Sequence, residues 1–245
     1  QHFSQLWPRL RALAEARPLC IVVIGGDVLA VELAFALERA LGRDSRISLV
    51  SGSGGLLPGF ADSAQRRVRD KLRQRRITLF DEDCVRIEAQ QILLASGLKL
   101  ACDAPVIAAG AGAPAWLRDS GLALAADGQV DVNELLQSRS HPEVFAALGG
   151  LAGREAAGAG EGLAINLRRH IAGGVLQPQR TGASTVRWLS FSDGKALALR
   201  GRHSATARWA SWWKDYADRR YMAAWRVKAA GLPKKLPAVD KSEER

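Results

Sequence analysis

The sequence predicts an α/β fold: a parallel sheet flanked by helices, a β-meander inserted ahead of its last strand, and an α+β region after it. Three observations predict it. Short apolar runs at 19–24, 47–50, 77–80 and 105–110 have the length and aliphatic content of strands buried on both faces. Stretches with helical spacing separate the first three, at 28–41 and 61–75, and strands that alternate with helices pair in parallel. Between the third and fourth runs, three more at 85–88, 91–95 and 98–101 follow one another across short separators that include Gly97, the spacing of a meander.

Phe3, Leu6, Leu10 and Leu13 place a helix over 3–16, stopped by Pro18. The strand at 19–24 runs through Gly25-Gly26-Asp27 into the helix 28–41. Val28, Val31, Leu33, Ala34 and Leu37 give that helix its apolar side, and Gly42 ends it. After the strand at 47–50 comes a glycine-rich loop, 51–59. In the helix 61–75, Val68 and Leu72 face inward, and its basic patch is Arg66, Arg67, Arg69, Arg73, Arg75 and Arg76. Residues 111–180 are rich in Ala and Gly, with a helix near 163–172. Runs at 186–191 and 195–200 flank Asp193-Gly194, a hairpin turn signal. Trp209, Trp212, Trp213 and Tyr216 recur at i, i+3, i+4 and i+7, which makes one stripe on a helix. The Pro- and Lys-rich tail, 231–245, reads as disordered.

The chain has 245 residues, 47% of them hydrophobic, enough for one large domain or two small ones. No apolar run reaches the roughly 18 residues of a membrane-spanning helix, and no secretory signal opens the chain. It begins with Gln1 rather than Met, and so reads as processed or as a piece of something longer. Three cysteines without a C-x-x-C pair and four scattered histidines show no disulfide framework and no metal spacing. Cys20, in an apolar strand, reads as a small core residue in a reducing, cytoplasmic setting. A net charge of +10 favours anionic partners: nucleotides, nucleic acid or an acidic membrane surface. Nucleic acid is disfavoured, because no aromatic residues interleave with the arginines of 61–75, which read as a solvated face.

Strand, glycine turn and helix over 19–41 form the local design of a dinucleotide-binding βαβ unit, Rossmann-like in its parallel sheet. In the fingerprint G-x-G-x-x-G/A, Gly25 and Ala30 fill the first and third positions. The second glycine ordinarily lets the backbone approach a pyrophosphate; Asp27 puts bulk and negative charge there. Asp27 is also a helix-capping type, and its carboxylate can satisfy the N–H groups that a phosphate would use. The same residues are therefore either a cofactor turn or simply a tight, self-capped one.

These residues resemble the nicotinamide-binding domain of FAD-dependent pyridine nucleotide–disulfide oxidoreductases, a family that includes type II NADH dehydrogenases. The family's G-G-G-x-x-G-x-E-x-A is matched by Gly25-Gly26-Asp27-Val28-Leu29-Ala30-Val31-Glu32-Leu33-Ala34, and its strand ending Ala-Thr-Gly by Ala108-Ala109-Gly110. Residues 128–132, 136–138 and 141–147 resemble the segment that leads to the FAD-closing Gly-Asp, here Leu148-Gly149. Trp188-Leu189-Ser190, 194–198, Arg200-Gly201 and 212–222 carry a narrower resemblance. It is to the type II NADH dehydrogenase-like flavoprotein found beside, or fused to, bacterial selenide, water dikinase.

The resemblance implies a fold of the FAD/NAD(P)-binding type. Residues 1–18 would be a connecting helix, 19–110 the NAD(P)-binding-like domain and 111–182 the remaining half of an FAD-binding domain, with 183–230 a C-terminal hairpin and aromatic-basic helix. It implies FAD and NAD(P)H as cofactors, hydride passing from nicotinamide to flavin and on to an acceptor. The cofactor-binding positions it implies are Gly25, Gly26, Ala30, Ser51, Gly110 and Gly149. Glu32, near nicotinamide and flavin, is the catalytic candidate. The alternative is a non-catalytic member that has lost its cofactors and acts as a binding module, because Asp27, Ser51, Ala109, Leu148, Gly149 and Ala159 all depart from the family's cofactor-contacting pattern. The aromatic stripe has three candidate partners: the chain's own sheet, a second copy in a homodimer, or a membrane surface. Arg208, Lys214, Arg219, Arg220, Arg226 and Lys228 surround it, as on helices that lie in membrane interfaces, and the resemblance to type II NADH dehydrogenases implies membrane contact through the C-terminal part. The expected location is cytoplasmic, or the inner face of the membrane.

Overall fold

The computed structural model describes residues 3–42, 44–108, 113–147, 154–179, 187–200 and 203–224. Strands β1 (Cys20–Ile24), β2 (Arg46–Val50), β3 (Thr78–Phe80) and β7 (Ala104–Ile107) form a parallel sheet in the order β3-β2-β1-β7. The chain leaves β1 toward β2 on one side and returns as β7 on the other. The order therefore reverses at β1, and the crevice at its carboxyl end is where open α/β sheets take ligands.

Alternation along the strands divides the core into two faces. Ile21, Val23, Ile47 and Leu49 pack against three helices: α1 (Phe3–Ala16), α2 (Val28–Leu41) and α3 (Asp62–Gln74). Ala30, Val31, Ala34, Phe35 and Leu37 of α2 are buried there, with Ala64, Val68 and Leu72 of α3. Val22 and Val50 face the other way. They are covered by Ile92, Leu94 and Cys102, which belong to or follow the meander of β4 (Cys84–Ile87), β5 (Gln91–Leu94) and β6 (Lys99–Ala101). The result is three layers: helices, parallel sheet, meander. Cys20, expected in the core, is partly exposed at the start of β1; Cys102 is the buried thiol, and all three cysteines are free.

After β7 the chain runs through a 3₁₀ turn (Ala115–Asp119) and an irregular stretch with isolated bridges such as Val132↔Ser138. It then enters α4 (Arg154–Ile171), which begins well before the expected 163–172. The early part of α4 is Ala and Gly with no apolar stripe, so periodicity gave no signal there. Asn166, fully buried, ties α4 to its surroundings. Its amide donates to the carbonyls of Leu135 (2.9 Å) and Gln177 (2.8 Å) and accepts from Gln177 N–H (3.0 Å).

The expected hairpin is a three-stranded antiparallel sheet: β8 (Arg187–Ser190), β9 (Ala196–Arg200) and β10 (His203–Ala207), followed by α5 (Arg208–Ala224). β10 has no large apolar residue and was not legible as a strand. Leu189, Phe191, Leu197 and Leu199 join the core cluster that contains α2, and Phe191 meets Phe35 edge-on at 5.2 Å. The hairpin turn is pinned by charge: Asp193 lies 2.8 Å from Lys71 and 3.7 Å from Arg75, and Arg75 also pairs with Glu38. Burial pushes the Asp193 carboxyl up, but the Lys71 hydrogen bond, the Lys195 N–H and the charges of Lys71 and Arg75 together hold it below the ordinary aspartate value. The expected tail, 231–245, lies outside the described residues.

Candidate functional site

The site is the turn after β1, at the switch point of the sheet. Gly25 extends the ladder by donating its N–H to the carbonyl of Val50 (2.8 Å). Asp27, in extended conformation, caps α2: its Oδ1 accepts from Ala30 N–H at 2.9 Å, and its carbonyl accepts from Val31 N–H at 3.2 Å. The cap uses one donor. The N–H groups of Val28 and Leu29 have no partner among the described residues. The expectation that Asp27 satisfies the donors a phosphate would use therefore holds for one of them, and two stay open at the positive end of the helix. Ala30 is fully buried, so α2 lies close on the sheet.

Gly26 has a different job from its neighbours. A Cβ added there would lie 2.4 Å from the Gly55 carbonyl oxygen and 2.6 Å from that of Ser51. Leu57 N–H donates to the Gly26 carbonyl at 2.6 Å. The glycine-rich loop is thus folded across the turn, and the space a side chain would need at Gly26 is filled by the chain's own backbone.

Ser51, at the end of β2, is buried. It is within reach of Asp81 (Oγ to Oδ1, 2.7 Å), and Asp81 also accepts from Arg69 of α3. Asp81 stands directly after β3, an acidic group beside the end of β2 that sequence reasoning missed. Burial pushes Asp81 up, and its bonds from Arg69 and Ser51 more than reverse that. The signal was available in Phe80-Asp81, an acid directly after a strand. Arg66 and Arg67 are exposed.

Glu32 points to the C-terminal sheet. It accepts from Ser190 N–H at 2.7 Å and lies 3.7 Å from Lys214 Nζ, which also binds Asp218 at 3.1 Å. Burial raises the Glu32 carboxyl above its ordinary 4.5, and Ser190 and Lys214 pull it only partly back. A raised acid makes the folded state hold its proton more tightly than the unfolded chain does. Glu32 therefore costs stability as pH rises from the ordinary carboxylate range through its own raised value. Asp81, Asp103 and Asp193 have the opposite sign: each is lowered, and their stabilisation is lost as pH falls below the ordinary aspartate range. Urea midpoints measured across pH 4 to 8 are expected to fall with pH in the wild type and to flatten in Glu32→Gln, which keeps an acceptor for Ser190. Equal slopes in both proteins would assign that pH dependence to other groups.

Gly110 and Gly149, with Ala109 and Leu148, lie outside the described residues, and Ala159 sits on α4. No three His, Cys, Asp or Glu among the described residues gather as a metal site. The aromatic stripe on α5 stays largely open to solvent: Trp209 and Trp212 are 61% and 65% exposed. Trp209 touches Trp188 edge-on at 6.3 Å, while Trp212 and Tyr216 stack on each other at 5.8 Å. Packing on the chain's own sheet thus accounts for one edge of the stripe. No helix among the described residues is long and apolar enough to cross a membrane.

A parallel sheet with a glycine turn at its switch point, and open N–H groups on the helix behind it, defines an α/β protein of the dinucleotide-binding type. The chain belongs to the pyridine nucleotide-disulphide oxidoreductase family, whose model matches residues 8–162. Among solved structures it is similar to reduced CoADR-RHD of Bacillus anthracis, with 22% identity, TM-score 0.56 and coverage of 74% of this chain and 34% of that one. It is also similar to an FAD-dependent pyridine nucleotide-disulphide oxidoreductase of Desulfovibrio vulgaris, with 19% identity, TM-score 0.55 and coverage of 76% and 51%. A third is the HOCl-induced flavoprotein disulfide reductase RclA of Escherichia coli, with 20% identity, TM-score 0.53 and coverage of 74% and 42%. At these identities the likeness is one of fold, and the chain spans about a third to a half of the length of these structures. No curated protein matches it.

Proposed function

We propose that this chain is the nicotinamide-binding part and C-terminal region of a flavin- and NAD(P)H-dependent oxidoreductase, of the type II NADH dehydrogenase-like branch. The observation that carries the reading is the pair of open N–H groups on Val28 and Leu29 at the switch point of the sheet. This donor set fits a dinucleotide pyrophosphate: Gly25 opens the turn, the two N–H groups bind phosphate oxygens, and the helix dipole favours their charge. A nicotinamide held there would supply hydride-transfer chemistry, with a flavin as the acceptor. Asp27 tunes the site. The Asp27 carboxylate binds the N–H next to these two, so its charge would oppose a phosphate held there by about 1 kcal/mol in a water-like dielectric and about 3 in a protein-like one, weakening binding without abolishing it.

Asp27→Gly is accordingly expected to tighten NADH binding about tenfold in a fluorescence titration, and to lower stability by a few tenths of a kcal/mol, the usual loss for an N-cap replaced by Gly. The longest natural form of the protein should show a flavin band in its visible spectrum that bleaches on adding NADH. A colourless protein without NADH affinity, in wild type and Asp27→Gly alike, would favour the reading as a binding module that has lost its cofactors.

We assign the α5 stripe to contact with an anionic membrane surface, at the cytoplasmic face. The support is the exposure of Trp209, Trp212, Trp213 and Tyr216 beside exposed Arg208, Arg219 and Arg220. The protein should sediment with phosphatidylglycerol vesicles, and Trp212→Ala with Trp213→Ala should release it. A dimer that dissociates in the same double variant, with vesicle binding unaffected, would assign the stripe to a second copy.

A further inference from the structure

A cleft of about 870 Å³ opens at the amino-terminal ends of β1, β2 and β3, the edge of the sheet opposite the Gly25 turn. Its construction follows from register. Cys20 pairs with Arg46, and Ser48 with Thr78, on the same side of the sheet as Val22 and Val50. The meander covers Val22 and Val50. Toward the strand starts its cover gives out, and Leu100 and Ala101 of β6 form the far wall of the cleft. Arg76, two residues before Thr78, lines the same space.

The charges in the cleft do not balance. Arg75 and Glu38 neutralise each other. Arg46 and Arg76 are exposed at its mouth, Asp44 lies on the rim, and none of the three side chains has a partner among the described residues. Arg46 begins β2 and Arg76 stands two residues before β3, the strand paired with it, so both charges line one cleft and favour an anion in it. The hydroxyls of Ser48 and Thr78 also make no hydrogen bond to a described residue. Two forked cations with two hydroxyl donors suit a tetrahedral dianion, whose terminal oxygens accept from all of them. The volume leaves room for an organic group against the aliphatic wall.

We propose that this cleft binds a small-molecule phosphate monoester, with Arg46 and Arg76 holding the phosphate and Ser48 and Thr78 donating from the strands behind. The site is on the other edge of the sheet from the dinucleotide turn and stands independently of that reading. Phenyl phosphate is the probe, titrated calorimetrically into the full chain at low salt. Saturable binding in the millimolar range or tighter is expected. It should weaken about tenfold or more in Arg46→Gln and in Arg76→Gln, the effect of losing a charge-assisted hydrogen bond, with melting temperatures unchanged because both side chains are exposed. Arg66→Gln and Arg67→Gln, exposed on α3, should bind as the wild type does. The proposal is overturned if phenyl phosphate does not saturate, or if the α3 variants lose as much as the cleft variants, which would mean general charge attraction. Inorganic phosphate binding as tightly as phenyl phosphate would also overturn it, by showing a site for the free anion.

Discussion

Gly26→Ala is expected to destabilise the protein by about 3 kcal/mol, the upper end of overpacking costs. The added methyl would sit 2.4 Å and 2.6 Å from two carbonyl oxygens, and both belong to backbone. A crowded side chain can rotate away; a carbonyl moves only with its loop. That loop is anchored by Leu57 N–H on the Gly26 carbonyl and by Leu56 and Leu57, both buried. Leu57 also holds a left-handed φ of 54°, which the packing must enforce. Gly54→Ala is the control, because a Cβ there meets nothing within 4 Å; its effect should stay within about 0.5 kcal/mol. Urea denaturation at constant m-value measures both. A loss at Gly26 as small as that at Gly54 would show that the loop is not fixed across the turn.

The parts of the fold that were legible are those whose signals are local. The helix expected over 28–41 is Val28–Leu41, because its apolar positions recur with helical period and Gly42 takes a φ of +80° at its end. The meander was legible because three short runs with turn residues between them have few other ways to pair. The start of α4 and the strand β10 lack apolar periodicity, and their positions are set by contacts elsewhere in the chain. The candidate site divides in the same way. That Asp27 could cap the helix is a property of its residue type, three positions from the N–H it binds. The reason for Gly26 is a loop that crosses above it, and the main partner of Glu32 is Ser190, 158 residues away. Neither contact has a signature in the neighbouring residues. The motif labels the turn, and its packing is decided at long range.

One helix carries these demands together. The start of α2 presents the open N–H groups, its inner side packs on the parallel sheet, and its outer side meets the C-terminal sheet through Glu32 and Phe35, with Glu38 pairing Arg75 alongside. Change at any of the three faces is therefore felt at the turn. A loss of C-terminal docking exposes Phe35 and strands Glu32 without its Ser190 donor. The ionic contacts at this seam are half-buried and partly screened, so their net contribution is modest. The apolar contact between them has no such discount.

Phe191→Ala is therefore expected to be the most damaging change at the seam, at about 3 to 4 kcal/mol. Phe191 is 2% exposed, meets the fully buried Phe35 edge-on at 5.2 Å and lies under Lys71 Nζ at 5.8 Å. It stands between Ser190, which holds Glu32, and Asp193, which holds Lys71 and Arg75. Truncation leaves a cavity where three elements meet and removes the aromatic pair, which is worth about 1 kcal/mol beyond its area. Phe191→Leu keeps most of the volume and should cost about 1.5 kcal/mol or less. Because most of the tryptophans lie on or beside the C-terminal sheet, their fluorescence in Phe191→Ala should change at a lower urea concentration than the far-ultraviolet helix signal. In the wild type the two transitions should coincide. A loss under about 1 kcal/mol would show that Phe191 does not hold the C-terminal sheet on the core, and transitions already separate in the wild type would show that the sheet is not part of the cooperative unit.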